Sequence, residues 1–124
     1  GLGSLSMTQP YTTFFESSSI TATTTGAGAD VVYTVPSNFD AEITLLDCTN
    51  GGANHTVSVQ IYHADDAEYH YLLRNHSISG GEAYKVITGN RLFLHSGDKI
   101  VAYKSAGTLD VSVSGKQYFN PTRT

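Results

Sequence analysis

Side chains that could hold a metal ion or transfer protons are concentrated in one short stretch of the chain. His63, Asp65, Asp66, Glu68 and His70 fall within eight residues, and imidazole and carboxylate groups are common ligands of divalent cations. Their spacing matches neither a zinc motif nor a calcium-binding loop, because the stretch has no His-x-His pair and no regular repeat of acids. It is therefore interpreted as a solvated acidic turn flanked by strand histidines, and we expect no metal site.

Other residue patterns that support catalysis are missing as well. No serine occupies a Gly-x-Ser-x-Gly elbow, and the single cysteine, Cys48, has no identifiable base. Cys48 is interpreted as a small buried hydrophobic residue. Three acids in one turn repel each other and stay solvated rather than pair as the carboxylates of a glycosidase do. The sequence thus predicts no enzyme, no catalytic residue and no cofactor.

Two groups of residues have the character of partner-binding residues instead. Tyrosine combines a large rigid ring with a hydroxyl, which suits it to anchoring an interface. The first ten residues, GLGSLSMTQP, are small and barely charged. They are consistent with a disordered tail, a tag remnant or a flexible arm that becomes ordered against a partner, and the arm is the interpretation adopted. The residues predicted to contact partners are Leu2, Leu5, Met7, Tyr62, Tyr69 and Tyr71.

Length, composition and charge limit the class of protein. The chain has 124 residues, of which 40% are hydrophobic and only 15% charged, as expected for one folded domain. The net charge of −4 argues against nucleic acid and against anionic membranes as partners, since both require basic surfaces. No apolar run is long enough to span a membrane, no signal peptide is visible, and we expect folding in a reducing cytoplasm.

The segment Val31 to His63 predicts the central strands. Val57, Val59 and Ile61 alternate with polar residues, as in a strand with one buried face. The alternation breaks at Leu45, which predicts a bulge or a segment covered on both faces. The Asn-Gly-Gly turn at 50–52 predicts that the strands on either side pair as a hairpin of a β-meander. The predicted core comprises Ile43, Leu45, Val57, Val59, Ile61, Val111 and Val113.

Further short strands recur at intervals of about 8–12 residues, separated by Gly-rich turns. They are predicted at 11–17, weakly at 20–25, and at 69–73, 84–87, 91–94, 99–103 and 109–115, with a polar turn at 64–67. We expect an all-β fold, a single antiparallel β-sandwich of jelly-roll-like topology, with an immunoglobulin-like sandwich as second choice. The predicted division is an arm at 1–10, a sandwich domain at 11–119 and a C-terminal tail at 120–124.

Three groups of residues carry a distinctive succession of turns and strands. They are VYTVP at 32–36 with AEITLL at 41–46 and TVSV at 56–59; GNRLFL at 89–94 with GDKI at 97–100; and GTLDVSVSG at 107–115. The succession resembles small β-sandwich virion proteins of tailed bacteriophages. That resemblance implies a capsid decoration (cement) protein or an accessory piece of a tail, neck or fibre, without enzymatic activity. It carries no functional residue over to this chain.

The functional expectation is therefore a structural component of a tailed-phage virion, assembled in the host cytoplasm, with capsid decoration favoured. Its partners would be the major capsid protein, or tail and neck proteins. A homo-oligomer is expected, and a trimer would match the local symmetry of a capsid lattice. Two rival classes stay open: a carbohydrate-binding or adhesin module that uses the tyrosines and the acidic turn, and an enzyme or metal protein that uses the histidines.

Overall fold

The computed structural model describes residues 11–87 and 91–121, and almost all of its regular structure is β-strand. One turn of 3₁₀ helix, Gly26–Gly28, lies between the first two strands. Within the described ranges no helix has the length and hydropathy needed to cross a membrane. The strands are β1 (Tyr11–Ser19), β2 (Asp30–Thr34), β3 (Phe39–Thr49), β4 (His55–His63), β5 (Glu68–Ile78), β6 (Ala83–Lys85), β7 (Leu92–Leu94), β8 (Lys99–Lys104) and β9 (Asp110–Phe119).

The strands form two antiparallel sheets that pack face to face. Sheet A has the order β1-β9-β3-β6, with β7 also pairing with β3, and sheet B has the order β2-β8-β4-β5. Consecutive strands alternate between the sheets except at the β4–β5 hairpin and between β6 and β7, which is the jelly-roll arrangement. The predicted all-β, jelly-roll-like sandwich is confirmed. An immunoglobulin-like sandwich would keep its first two strands in one sheet, whereas here β1 and β2 lie in different sheets.

The core lies between the two sheets, where the alternating residues of β4 and β9 meet. Val57, Val59, Val111 and Val113 are completely buried, which confirms the predicted inner faces of these strands. Cys48 is also completely buried. Removal from water raises the pKa of its thiol to about 12, so the thiolate is disfavoured. Cys48 is thus the small buried hydrophobic residue that the sequence predicts.

The break in alternation in β3 is a bulge, as predicted. The pairing of β3 with β9 shifts between Ile43 and Leu45. Beyond the shift, Leu46 and Cys48 point into the core, while Leu45 is only half-buried opposite Ser114. The assignment of Leu45 to the core was wrong, because the extra residue of the bulge moves it to the outer face.

The predicted hairpin between β3 and β4 is wrong, and with it the meander. β3 belongs to sheet A and β4 to sheet B, so the connection crosses between the sheets. The buried side chain of Asn50 holds this connection: its amide donates to the carbonyls of Ala53 (2.8 Å) and Ile78 (3.1 Å), and its oxygen accepts from the Gly52 N–H (2.9 Å).

Residues 20–25 do not form the weak strand predicted for them. They carry the chain from sheet A to sheet B, and Ile20 is buried. The Asp30 carboxylate accepts from the backbone N–H groups of Thr21 (2.6 Å) and Ala22 (3.1 Å). The Thr21 hydrogen bond is the main reason that the pKa of Asp30 lies below its usual value. The Asp30 side chain thus bonds the backbone N–H groups of Thr21 and Ala22, while Ile20 and Ala22 also bond to the backbone of Leu109 and Lys104.

Candidate interaction surfaces

The three tyrosines predicted to bind a partner lie together on the outer face of sheet B. Tyr62 pairs with Tyr69 across β4 and β5, and their ring centroids are 4.8 Å apart. Tyr71 lies one row further along β5, and its hydroxyl is 2.8 Å from that of Tyr103 on β8. That these three tyrosines bind a partner stays a prediction. Sequence reasoning did not identify Tyr103, which contacts Tyr71.

The chain itself covers much of this outer face. The Thr25 hydroxyl (3.0 Å) and the Gly26 N–H (2.9 Å) both donate to the side-chain oxygen of Gln60, which is only 3% exposed. Thr25 also contacts the Tyr71 hydroxyl (3.1 Å), and this bond is the first cause that lowers the pKa of Tyr71. The connection between β1 and β2 therefore packs on the outer face of sheet B, and Thr25 of this connection forms a hydrogen bond with the Tyr71 hydroxyl.

The acidic turn at the end of the β4–β5 hairpin is confirmed as a turn, and it brings three possible ligands together. One ligand atom from each of Asp66, Glu68 and His70 lies within 4.8 Å of the others, and all three residues are exposed. Asp65 does not belong to this group. His63 contacts His70 edge to face, with ring centroids 5.3 Å apart. The group lacks the burial that orients metal ligands, and the expected absence of tight metal binding stays a prediction.

The remaining histidines are distributed over separate parts of the sandwich. His55 is buried, with Nε2 2.6 Å from the Thr108 carbonyl oxygen. His76 stacks on Tyr84 with ring centroids 4.0 Å apart, and His95 lies 3.2 Å from Asp40. The histidines therefore do not converge on one centre within the described residues.

The outer face of sheet A carries the largest exposed apolar side chains, which sequence reasoning missed. Phe15 on β1 is 65% exposed and Phe93 on β7 is 62% exposed. Phe93 stands in one row with Glu42, which is buried by a 3.0 Å ion pair with Arg91 and a 2.9 Å hydrogen bond from the Tyr118 hydroxyl. A signal existed for Phe15: in a strand, the neighbouring Phe14 and Phe15 must point to opposite faces.

A cavity lined mainly by aromatic side chains lies at one end of sheet A. Tyr11, Phe39 and Phe119 line a cavity of about 230 Å³ together with two polar residues. Tyr11 and Phe119 are each about half exposed there. The predicted arm, with its partner residues Leu2, Leu5 and Met7, lies outside the described residues, as do the last three residues of the predicted tail.

Comparison with known proteins does not assign the chain to a family. No family model matches the chain, and no curated protein matches it. Among solved structures, a chain from the structure titled "Structure of infectious bursal disease virus Gx strain" is similar, with a TM-score of 0.48 and 9% sequence identity. The similarity covers 89% of this chain and 32% of that chain, so this chain spans about a third of the length of the virus protein.

Proposed function

We propose that this chain is a non-enzymatic structural component of a tailed-phage particle, and that it decorates and cements the capsid. The observation that carries the proposal is the exposure of Phe15 and Phe93 on the outer face of sheet A. Exposed aromatic side chains are enriched among the residues that protein interfaces bury and among those that contribute most to binding. This is the face that we assign to the contact with a neighbouring virion protein.

The surroundings of Phe93 support a contact of this kind. Across the strands of sheet A, Phe93 lies opposite Glu42, and Glu42 lies opposite Lys116. Glu42 also forms an ion pair with Arg91. An aromatic ring bordered by hydrogen-bonded polar groups is the usual composition of a protein interface, with an apolar centre and a wet rim. The major capsid protein is the partner we favour. Tail or neck proteins are the alternative.

The proposal includes the N-terminal arm and self-association. The arm at 1–10 would anchor the domain on a neighbouring subunit through Leu2, Leu5 and Met7, since ten extended residues reach roughly 33–36 Å. On a capsid lattice, a trimer would match local threefold axes. Both elements are tested together with the attachment surface.

The experiment is reconstitution on particles that lack the protein. The purified chain should bind in a stoichiometric multiple of the major capsid protein, and Phe93→Ser should weaken binding about tenfold or more. Val31→Ser is the matched control, because Val31 is 48% exposed on the outer face of sheet B. Deleting Gly1–Pro10 should weaken attachment while the sandwich stays folded. Full occupancy by Phe93→Ser and by the deletion variant would contradict the proposal, and binding only at the tail or neck would favour the alternative.

A second candidate function is carbohydrate binding on sheet B, as in an adhesin module. The observation in its favour is that Tyr62, Tyr69 and Tyr71 do come together, and the Tyr71 ring is 38% exposed. Aromatic rings can stack on sugars, but the Tyr71 hydroxyl is bonded to Thr25 and Tyr103. On a glycan array, the parent chain should bind no glycan that the Tyr71→Ala variant fails to bind. A specific glycan lost in that variant would move the assignment to this class.

A further inference from the structure

Strand β1 forms one edge of sheet A, and it is unusually regular for an edge. It pairs with β9 over nine residues without a register shift. Its only charged residue is Glu16, and it contains no proline. Among the described residues no strand pairs with its other side. A long, flat, weakly charged edge is a template for pairing with another strand.

The opposite sheet has an edge strand that is protected in the usual ways. The pairing of β5 with β4 shifts register twice, and β5 carries Glu68 and Arg74. Asn75 has a φ of 48°, and its N–H donates to the Ser58 hydroxyl (2.8 Å). Bulges and charges of this kind prevent edge-to-edge pairing. The chain therefore protects β5 and leaves β1 open.

The pairing with β9 determines which backbone groups of β1 are free. The Ile20 N–H donates to the carbonyl of Leu109, directly opposite, at 2.8 Å. Because hydrogen-bonded pairs alternate along an antiparallel ladder, the even-numbered residues of β1 bond to β9. The odd-numbered residues, including Thr13 and Phe15, direct their N–H and C=O groups away from β9. Their side chains lie on the outer face of sheet A.

We propose that β1 pairs antiparallel with β1 of a second copy of this chain, centred on Phe15. This register joins odd-numbered residues to odd-numbered residues, so the free backbone groups of both copies are satisfied. It sets the two Phe15 rings side by side and places Glu16 opposite Phe14 of the other copy. A register centred on Glu16 would instead place two carboxylates opposite each other, which is unfavourable.

The charges at the ends of β1 favour the same partner and orientation. The Lys116 ammonium lies 4.7 Å from the centre of the Tyr11 ring, at the start of β1. Asp110 accepts a 2.8 Å hydrogen bond from Ser19, at its end. Antiparallel pairing brings the start of one strand beside the end of the other, so Lys116 of each copy approaches Asp110 of its partner. Parallel pairing would bring like charges together.

The resulting assembly has twofold symmetry, so its state in solution is a dimer. This replaces the trimer as the assembly expected for the isolated protein. It does not depend on the proposed virion role, because it concerns the free chain and is tested without particles. In the dimer Phe15 contacts its own copy, so Phe93 is the exposed ring left for the virion partner.

The test measures the mass of the full-length chain by sedimentation over a wide concentration series. We expect a species of twice 13.3 kDa. Thr13→Pro removes an N–H that faces the open edge, and it should raise the dissociation constant about tenfold or more while the melting temperature changes little. Thr12→Pro is the matched control: it removes an N–H bonded to β9, so it should lower the melting temperature and leave the open edge intact.

A charge exchange tests the orientation of the two strands. Lys116→Asp should weaken the dimer, and adding Asp110→Lys should restore it. A chain that stays monomeric at all concentrations, a trimer, or a dimer unaffected by Thr13→Pro would each overturn the proposal. A monomer that dimerises only after deletion of Gly1–Pro10 would also overturn it for the full-length protein.

Discussion

The outer faces of the two sheets differ in how far the chain itself covers them. On sheet B, Ser58, Gln60 and Val101 point away from the core and are nevertheless buried. The connection between β1 and β2 bonds to Gln60, and Asn75 of β5 bonds to Ser58. On sheet A, Phe15 and Phe93 point outward and stay largely exposed. The fold thus covers the middle of the outer face of sheet B, although Val31 and Tyr71 stay exposed there, and it leaves the two phenylalanines of sheet A uncovered.

This difference predicts which face stabilises the fold and which is available to partners. A buried polar group is tolerated only with hydrogen-bond partners, and Gln60 has two donors supplied by one short loop. The exposed phenylalanines of sheet A make no comparable contribution, since their surface stays in water. Stability should therefore respond to changes on sheet B, and association to changes on sheet A.

The largest effect is expected in the inner core that both faces share. Val59→Asp should abolish folding, because an unpaired charge in a packed core costs several kcal/mol. Circular dichroism and thermal melting measure this directly. Thr44→Asp, on the exposed side of β3, is the control and should melt near the parent. A soluble Val59→Asp variant that melts like the parent would mean that the inner face of β4 is assigned wrongly.

A smaller loss is expected on the covered face. Gln60→Ala leaves the Gly26 N–H without its acceptor and opens a small void, which should lower the free energy of unfolding by about 1–3 kcal/mol. Denaturant titration measures the change. Thr44→Ala removes only a long 3.4 Å hydrogen bond to the Ser114 carbonyl, so it should change stability far less. Equal effects of the two substitutions would show that the loop does not stabilise sheet B.

The open face should contribute almost nothing to stability. Phe15→Ser and Phe93→Ser should each change the free energy of unfolding by no more than about 0.5 kcal/mol, as is usual for exposed positions. The same denaturant titration applies, at a concentration where the protein is monomeric. A loss of 2 kcal/mol or more would indicate that these rings pack within the domain and would remove the basis of the attachment surface.

Part of this contrast could be read from the sequence, and part could not. Alternation gave the inner residues of β4 and β9, and the break at Leu45 gave the bulge, because both depend on local spacing alone. The hairpin between β3 and β4 failed because local spacing does not reveal which sheet a strand joins. Gln60 looked like an outward polar residue for the same reason: its cover comes from Thr25 and Gly26, 35 and 34 residues away.

Tyr71 on sheet B and Tyr118 on sheet A have pKa values that are shifted in opposite directions. The Thr25 hydrogen bond lowers the pKa of Tyr71, whereas the hydrogen bond to Glu42 raises the pKa of Tyr118. Tyr71 should ionise first as the pH rises towards 10 and beyond, which ¹³C NMR of the phenolic carbons can follow. Thr25→Val should raise the value for Tyr71, and Glu42→Gln should lower that for Tyr118.

The same shifts fix the signs of the pH dependence of stability. The raised pKa of Tyr118 gives a contribution that is present below about pH 10 and is lost as the pH rises through the folded-state value. The lowered pKa of Tyr71 gives a contribution that is present above about pH 10 and is lost as the pH falls through its folded-state value. Identical titration of the two phenols would contradict the arrangement.

The smallest expected effect is that of added metal ions. It tests whether the β4–β5 hairpin, at the end of sheet B, binds a cation. Glu68 and His70 alternate with Tyr69 and Tyr71 along β5, so they lie on the other side of the strand from the tyrosines. A bound cation there would add a binding site at this end of sheet B. Exposed ligands on one turn must be ordered on binding and stay hydrated, which weakens the site. Equilibrium dialysis against zinc, calcium and nickel should find no tight stoichiometric binding. A rise in melting temperature of several degrees on metal addition, removed by His70→Ala but not by His95→Ala, would show that this end of sheet B holds a metal site after all.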